Sequence, residues 1–124
     1  MTPGRRSLEQ YLLDMRETAQ GVVELVATLD TDTFLNTVTG SWALERGIIQ
    51  LGEIAVQMRQ QWPEYVAAHP ELAPDGMRNA RNIVVHGYAI IDRERILRMA
   101  AKDTPALLAH VETHLRALAR ARER

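Results

Sequence analysis

A chain of 124 residues is the length of one ordinary domain and too short to bury two independent cores. With 46% apolar and 25% charged residues it has the composition of a folded globular protein, which excludes the disordered and collagen-like classes. Fifteen basic against sixteen acidic residues leave a net charge of -1, so charge alone does not mark a nucleic-acid binder. Fourteen of the fifteen basic residues are Arg, whose planar donor fork suits phosphate, although a high-GC coding bias gives the same count. The lack of cysteine excludes disulfides, thiolate zinc sites and cysteine nucleophiles. The basic start at Arg5-Arg6 runs into Ser7-Leu8-Glu9-Gln10 and not into an apolar stretch, and no segment approaches the ~18 apolar residues of a membrane span. A cytoplasmic protein with no membrane partner is expected.

Ser7-Leu8-Glu9-Gln10 has the form of a capping box. Apolar residues then recur at helical spacing from Leu8 through Tyr11, Leu12, Met15, Ala19, Val22, Val23 and Val26 to Leu29, which predicts a long amphipathic helix. Asp30 to Thr33 supply turn residues, Phe34-Leu35 a short docked turn, and Thr37 to Ser41 a loop or frayed helix start around Gly40. A second helix is expected from Trp42 through Leu44, Ile48, Ile49, Leu51, Ile54, Ala55 and Met58, ending near Trp62-Pro63 because proline disfavours helix in the residue before it. Residues 63 to 76, with Pro63, Pro70 and Pro74, read as a connector with room for one helical turn at Glu64 to Ala68. The series Met77, Ala80, Val84 and Ile91 predicts a third helix over 77 to 91. Asp92 can cap a fourth, Arg93 to Ala101, and Thr104-Pro105 can open a fifth reaching about Arg122. No alternating strand pattern and no repeat occurs. The expected fold is all-α: one domain over residues 1–124, an antiparallel up-and-down bundle of four to five helices with Met1 to Arg6 and the last few residues flexible.

On a wheel of about 100° per residue, Met77, Ala80, Val84 and Ile91 share one face, while Arg78, Asn82 and His86 lie opposite. His86 is therefore not expected in the core. Asn82 sits one turn before it and can hydrogen-bond its ring, and Arg81 and Tyr88 fall on the shoulder beside the apolar stripe. Gly87 can bend or end the helix. Spacing alone leaves two readings open, a solvated polar face and a site.

Arg81-Asn82-Ile83-Val84-Val85-His86-Gly87-Tyr88 resembles the signature of the HepT-like branch of HEPN domains: Arg, Asn, three apolar residues, His, any residue, Tyr. The helix from Ala43 to Ala55, with Arg46 and the Gly52-Glu53 pair, is similar to the family's second helix, and Ile91-Asp92, Ile96 and Thr104-Pro105-Ala106-Leu107 to the end of its chain. The resemblance covers about residues 7 to 116. It departs at Ala73-Pro74, where the family usually has Pro-Trp, and at Thr39-Gly40, where an acidic residue often precedes the second helix.

The resemblance implies a metal-independent endoribonuclease toxin of a type VII toxin-antitoxin system, with no cofactor and no metal. Its chemistry would be attack of an RNA 2′-hydroxyl on the neighbouring phosphate. Histidine is the side-chain type suited to proton transfer near neutral pH, and His86 would act as base, then acid. Arg81 would hold the scissile phosphate and stabilise the charge that develops on it, with Asn82 and Arg78 in support. On an ideal helix Arg81 and His86 are about 140° apart and about 7.5 Å along the axis, so one chain offers a sparse site and a homodimer with facing motifs a fuller one. The implied partner is a minimal nucleotidyltransferase antitoxin that adds AMP to Tyr88, obstructing RNA by bulk and charge. A Tyr88 packed on the core edge is compatible with that role. The other function considered is a non-catalytic HEPN adaptor that binds a nucleotidyltransferase and assists its nucleotide or substrate binding.

Arg46 and Glu53 are seven residues apart on one face, which suits either an ion pair fixing helix packing or the dimer, or support of the Arg81 site. His110 and His114 have metal-ligand spacing but no evident third ligand, so no metal is expected there. Trp42 and Trp62 read as core or interface anchors, and His69 as a loop residue.

Overall fold

In the computed structural model, which describes residues 6–28, 37–73, 75–86 and 93–123 (in 75, 76 and 86 the backbone alone), the chain begins with the capping box. Ser7 Oγ accepts from the Gln10 amide at 3.1 Å, and Gln10 Oε1 accepts from the Ser7 amide at 3.1 Å. Two amide donors that the helix itself leaves unpaired are thereby satisfied, and α1 runs Leu8–Thr28. Helix α2, Val38–Gln61, starts earlier than expected. Thr37 is its cap, its hydroxyl accepting from the Gly40 amide at 3.2 Å, and Gly40 and Ser41 are buried inside the first turns, which decides for a helix start over the loop that was the other expectation. Trp62 closes α2 by donating its amide to the Met58 carbonyl at 2.7 Å, and Pro63 opens the short helix α3, Pro63–Ala68, from the position where a missing N–H costs nothing. A 3₁₀ turn, Pro70–Leu72, completes the connector, and α4 follows over Asp75–His86.

The largest difference from expectation lies at the end. Residues 93 to 122 form one helix, α5 (Arg93–Arg122), with Pro105 inside it and no break at Thr104-Pro105. Proline removes one helical hydrogen bond and costs about 3 kcal/mol in a helix interior. Ile96, Ala100, Leu107 and Val111, on either side of it, are all buried. Burying such side chains stabilises by about 1.5–3 kcal/mol for each of the larger ones, which outweighs the local penalty. Tertiary packing decides the outcome.

Contacts between distant residues give the helix directions. Arg6 donates its amide to Gln61 Oε1 at 3.0 Å, Gln50 Nε2 donates to Thr18 Oγ1 at 2.7 Å, and Gly47 faces Val22, so α1 and α2 are antiparallel. A Cβ on Gly47 would lie 2.5 Å from Val22 Cγ2; glycine there sets the close approach. Arg122 bridges to Glu9 at 2.6 Å, so α5 returns antiparallel to α1, and Gly52 beneath Arg81 marks the antiparallel crossing of α2 and α4. The described residues contain no strand, and the helices form the expected antiparallel bundle.

The core is the set the periodicity selects: Tyr11, Leu12, Met15, Ala19 and Val22 of α1 against Leu44, Ile48, Leu51, Ala55 and Met58 of α2, closed by Ala80 and Val84 of α4 and the α5 residues above. Trp42 is not part of it. It is 67% exposed, which removes the core reading and leaves the surface one, whereas Trp62 is partly buried and donates its indole N–H to the Arg6 carbonyl at 2.9 Å. No described helix is long and apolar enough to cross a membrane. The turns expected at residues 30–35, Gly87, Tyr88 and the cap at Asp92 lie outside the described residues.

Candidate active site

Helix α4 presents Arg78, Arg81 and Asn82 to a groove whose other wall is the last half of α2. Its apolar residues Ala80 and Val84 are buried on the bundle, which rotates Arg78 to solvent and leaves Arg81 half-buried on the shoulder, as the wheel requires. The groove encloses about 340 Å³ and is lined by Ala55, Val56, Arg59, Gln60, Ala73, Arg78, Arg81 and Asn82. Three guanidinium groups and two amides, those of Gln60 and Asn82, thus face a single concave surface in a protein whose net charge is -1.

Arg81 is the most constrained of the three. Its side chain lies across Gly52: a Cβ there would meet the Arg81 Cβ, Cγ and Cδ at 2.6, 2.8 and 2.8 Å. With only hydrogen at position 52, the arginine stem crosses α2 and places its head beside the next residue, Glu53. Arg81 Nη2 donates to Glu53 Oε1 and Nη1 donates to Asn82 Oδ1 at 3.1 Å. Nε is buried and has no hydrogen-bond partner among the described residues. A guanidinium has five N–H donors, and these two acceptors fix its plane while leaving donors for an anion.

Glu53 therefore pairs with Arg81, not with Arg46, which corrects the first of the two readings of that residue pair. Arg46 lies in a separate, more acidic groove between α1 and α2 with Asp14, Glu17, Gln50 and Glu53, and makes no ion pair among the described residues. Arg59 was missed from the sequence. It stands seven residues after Gly52 on the same face of α2, a spacing that could have found it, and its Nη2 donates to the Ala73 carbonyl at 3.1 Å. The connector thereby closes one end of the groove. His86 ends α4 on the same helix as Arg81; its side chain and all of Tyr88 lie outside the described residues.

A second polar cluster sits away from this groove, where the connector meets α5. The Tyr65 hydroxyl is 2.6 Å from His114 Nδ1, and His114 Nε2 is 2.9 Å from Glu71 Oε1. His69 Nδ1 is 3.6 Å from the same Glu71 oxygen. Hydrogen bonding from His114 holds the Glu71 carboxyl below its usual range, while burial, reinforced by the Glu71 charge, pushes the Tyr65 phenol up. His110, four residues before His114 on the same helix, lines a largely apolar cavity with Ile48, Leu51, Met77 and Leu107, whose wall also includes Glu71.

With this geometry in hand, comparison with known proteins gives a consistent result. A curated protein of Methanocaldococcus jannaschii described as "Putative RNase MJ1380" is 26% identical over 108 residues, which cover 87% of this chain and 96% of that one. No solved structure matches. The family described as "Ribonuclease HepT-like" matches residues 10–114, a span that holds Gly52, Glu53, Arg59, Arg78, Arg81, Asn82 and His86 together. The chain belongs to the HepT-like ribonuclease family of HEPN proteins.

Proposed function

We propose that this protein is a metal-independent endoribonuclease toxin of a type VII toxin-antitoxin system, cytoplasmic, acting as a homodimer and neutralised by AMP addition to Tyr88 from a minimal nucleotidyltransferase. The observation that carries the ribonuclease reading is the Arg81 guanidinium, laid over Gly52 and held by Glu53 and Asn82 in a groove shared with Arg59 and Arg78. A pre-oriented guanidinium among further arginines suits a polyanion whose charge grows during reaction.

In the proposed mechanism an RNA phosphate lies in the groove, with Arg78 and Arg59 on flanking phosphates and Arg81 on the scissile one. His86 removes the proton from the adjacent 2′-hydroxyl, whose oxygen attacks phosphorus. The 5′-oxygen leaves and takes a proton from the imidazolium, and a 2′,3′-cyclic phosphate remains. Arg81 stabilises the extra negative charge on the phosphorane oxygens. Arg81 and His86 are separated by more than one helical turn, and a second copy with its motif facing the first supplies the complement each lacks.

The test is incubation of purified protein with RNA in EDTA. Wild type should yield 2′,3′-cyclic phosphate ends, and His86→Ala and Arg81→Ala should each lose about 10²-fold or more in rate, the range expected for removing a general base or a transition-state donor. A folded wild type that cleaves no RNA but binds a nucleotidyltransferase would overturn this reading in favour of the adaptor. Mass spectrometry after co-expression with the nucleotidyltransferase should show added AMP, absent in Tyr88→Phe.

A further inference from the structure

The cluster at the foot of α5 is not explained by RNA cleavage. Four side chains from three elements meet there: Tyr65 from α3, His69 and Glu71 from the junction and the 3₁₀ turn, and His114 from α5. His69, Glu71 and His114 each offer a donor atom, and these three atoms lie within 4.8 Å of one another. Two ring nitrogens of different residues thus converge on one carboxylate oxygen.

The separations carry the argument. A tetrahedral zinc site with metal–donor bonds of about 2.0–2.1 Å spaces its donors about 3.3 Å apart. Glu71 to His114 is 2.9 Å and His69 to Glu71 is 3.6 Å, which bracket that value. The His69 contact is too long for a hydrogen bond, so hydrogen bonding alone does not account for where that ring sits. The rings pack against one another, Tyr65 to His69 at 4.5 Å and His69 to His114 at 4.6 Å between centroids, which restrains both imidazoles.

The far side of His114 is equally suited. Metal-bound imidazoles are generally held by a hydrogen bond at the other ring nitrogen, and His114 Nδ1 has the Tyr65 hydroxyl at 2.6 Å. In the hydrogen-bonded network Tyr65 donates to Nδ1 and Nε2–H donates to Glu71. When an ion takes Nε2, the ring proton moves to Nδ1 and donates to the Tyr65 oxygen, whose own proton turns to solvent, so each ring nitrogen keeps a partner in both states. His114 is 12% exposed while Glu71 and His69 are 32% and 39% exposed, which leaves an approach from solvent and a position for a fourth ligand such as water.

We propose that His69, Glu71 and His114 form a divalent-metal site of the zinc class, with Tyr65 orienting His114. Imidazole and carboxylate donors in this number suit Zn²⁺, and Co²⁺ as its spectroscopic substitute, over Mg²⁺ or Ca²⁺, which prefer all-oxygen sets. The site clamps the connector to α5 and is independent of the RNA groove; the ion takes no part in the cleavage chemistry proposed above.

The test uses the untagged full chain, treated with chelator and dialysed, and titrated with ZnCl₂ near neutral pH by calorimetry. One ion per chain should bind and raise the melting temperature, and Co²⁺ should give the visible absorption of a tetrahedral ion. His69→Ala and Glu71→Gln, both at partly exposed positions, should each weaken binding at least roughly 100-fold, and Tyr65→Phe by roughly tenfold, the scale of losing an outer hydrogen bond. His110→Ala should change nothing. Absence of saturable binding by folded wild type overturns the proposal, as does binding that survives His69→Ala and Glu71→Gln or is lost in His110→Ala. Because no RNA is present, either outcome is distinct from success or failure of the ribonuclease reading.

Discussion

Glycine 52 and arginine 81 occupy one volume between them. The arginine stem fills the space a Cβ at position 52 would need, down to 2.6 Å from its own Cβ, and that atom is not the mobile end of a side chain. Gly52→Ala should therefore lower stability by about 1–2 kcal/mol, the overpacking cost of about 1–3 kcal/mol reduced by alanine's better helix propensity. Urea unfolding measures this, and equal or greater stability would show that the two helices have slack. The same substitution should reduce RNA cleavage by roughly 10²-fold, since displacement of a catalytic group by about 1 Å costs that much. At this scale the sequence exposes residue types but not partners. Periodicity places Arg81 on the shoulder of α4 because Ala80 and Val84 must be buried, yet nothing in a single helix says that Glu53 lies across from it. The pairing of Glu53 with Arg81 depends on the crossing point of two helices, as does the recruitment of Arg59. His114 is a parallel case: its intrahelical neighbour His110 was the visible candidate, while Glu71 and His69 reach it only through the return of the connector.

Among the elements, those defined by local chemistry were legible. The Ser7–Gln10 box, the stop at Trp62-Pro63 and the apolar stripes of α1, α2 and α4 all follow from capping, proline geometry and helical period. The elements left open or misread are those where distant packing prevails over a local signal. Thr37 to Ser41 carries turn residues but is drawn into α2 because Ser41 and Leu44 are buried, and Thr104-Pro105 carries a helix-start signal inside a helix held on both sides by core residues. If α5 is continuous against a local penalty, removing the penalty should stabilise it. Pro105→Ala is expected to raise stability by about 1–2 kcal/mol, less than the full ~3 kcal/mol because proline also restricts the unfolded chain. A rise in melting temperature of several degrees should accompany it. A fall would mean that the bundle needs the proline ring or its local geometry.

Taken as a whole, the molecule is nearly neutral, yet Arg59, Arg78 and Arg81 line one groove. RNA affinity should then respond to salt according to the groove and not to the net charge. Three arginines on three phosphates of a single strand predict a slope of about -2 for the logarithm of affinity against that of salt concentration, and Arg78→Ala should reduce its magnitude by about 0.7. Fluorescence titration at several salt concentrations reads this; a slope unaffected by Arg78→Ala would place RNA elsewhere. The crossing of α2 and α4 also bears on how such a chain can change over generations. A lineage that places a residue larger than alanine at 52 while keeping this crossing is expected to shorten residue 81 as well, and one that gives up arginine at 81 opens a void that a larger residue at 52 can fill. The two positions are therefore expected to vary as a pair, a relative with a bulky residue at 52 lacking the arginine at 81 and, with it, the proposed phosphate contact.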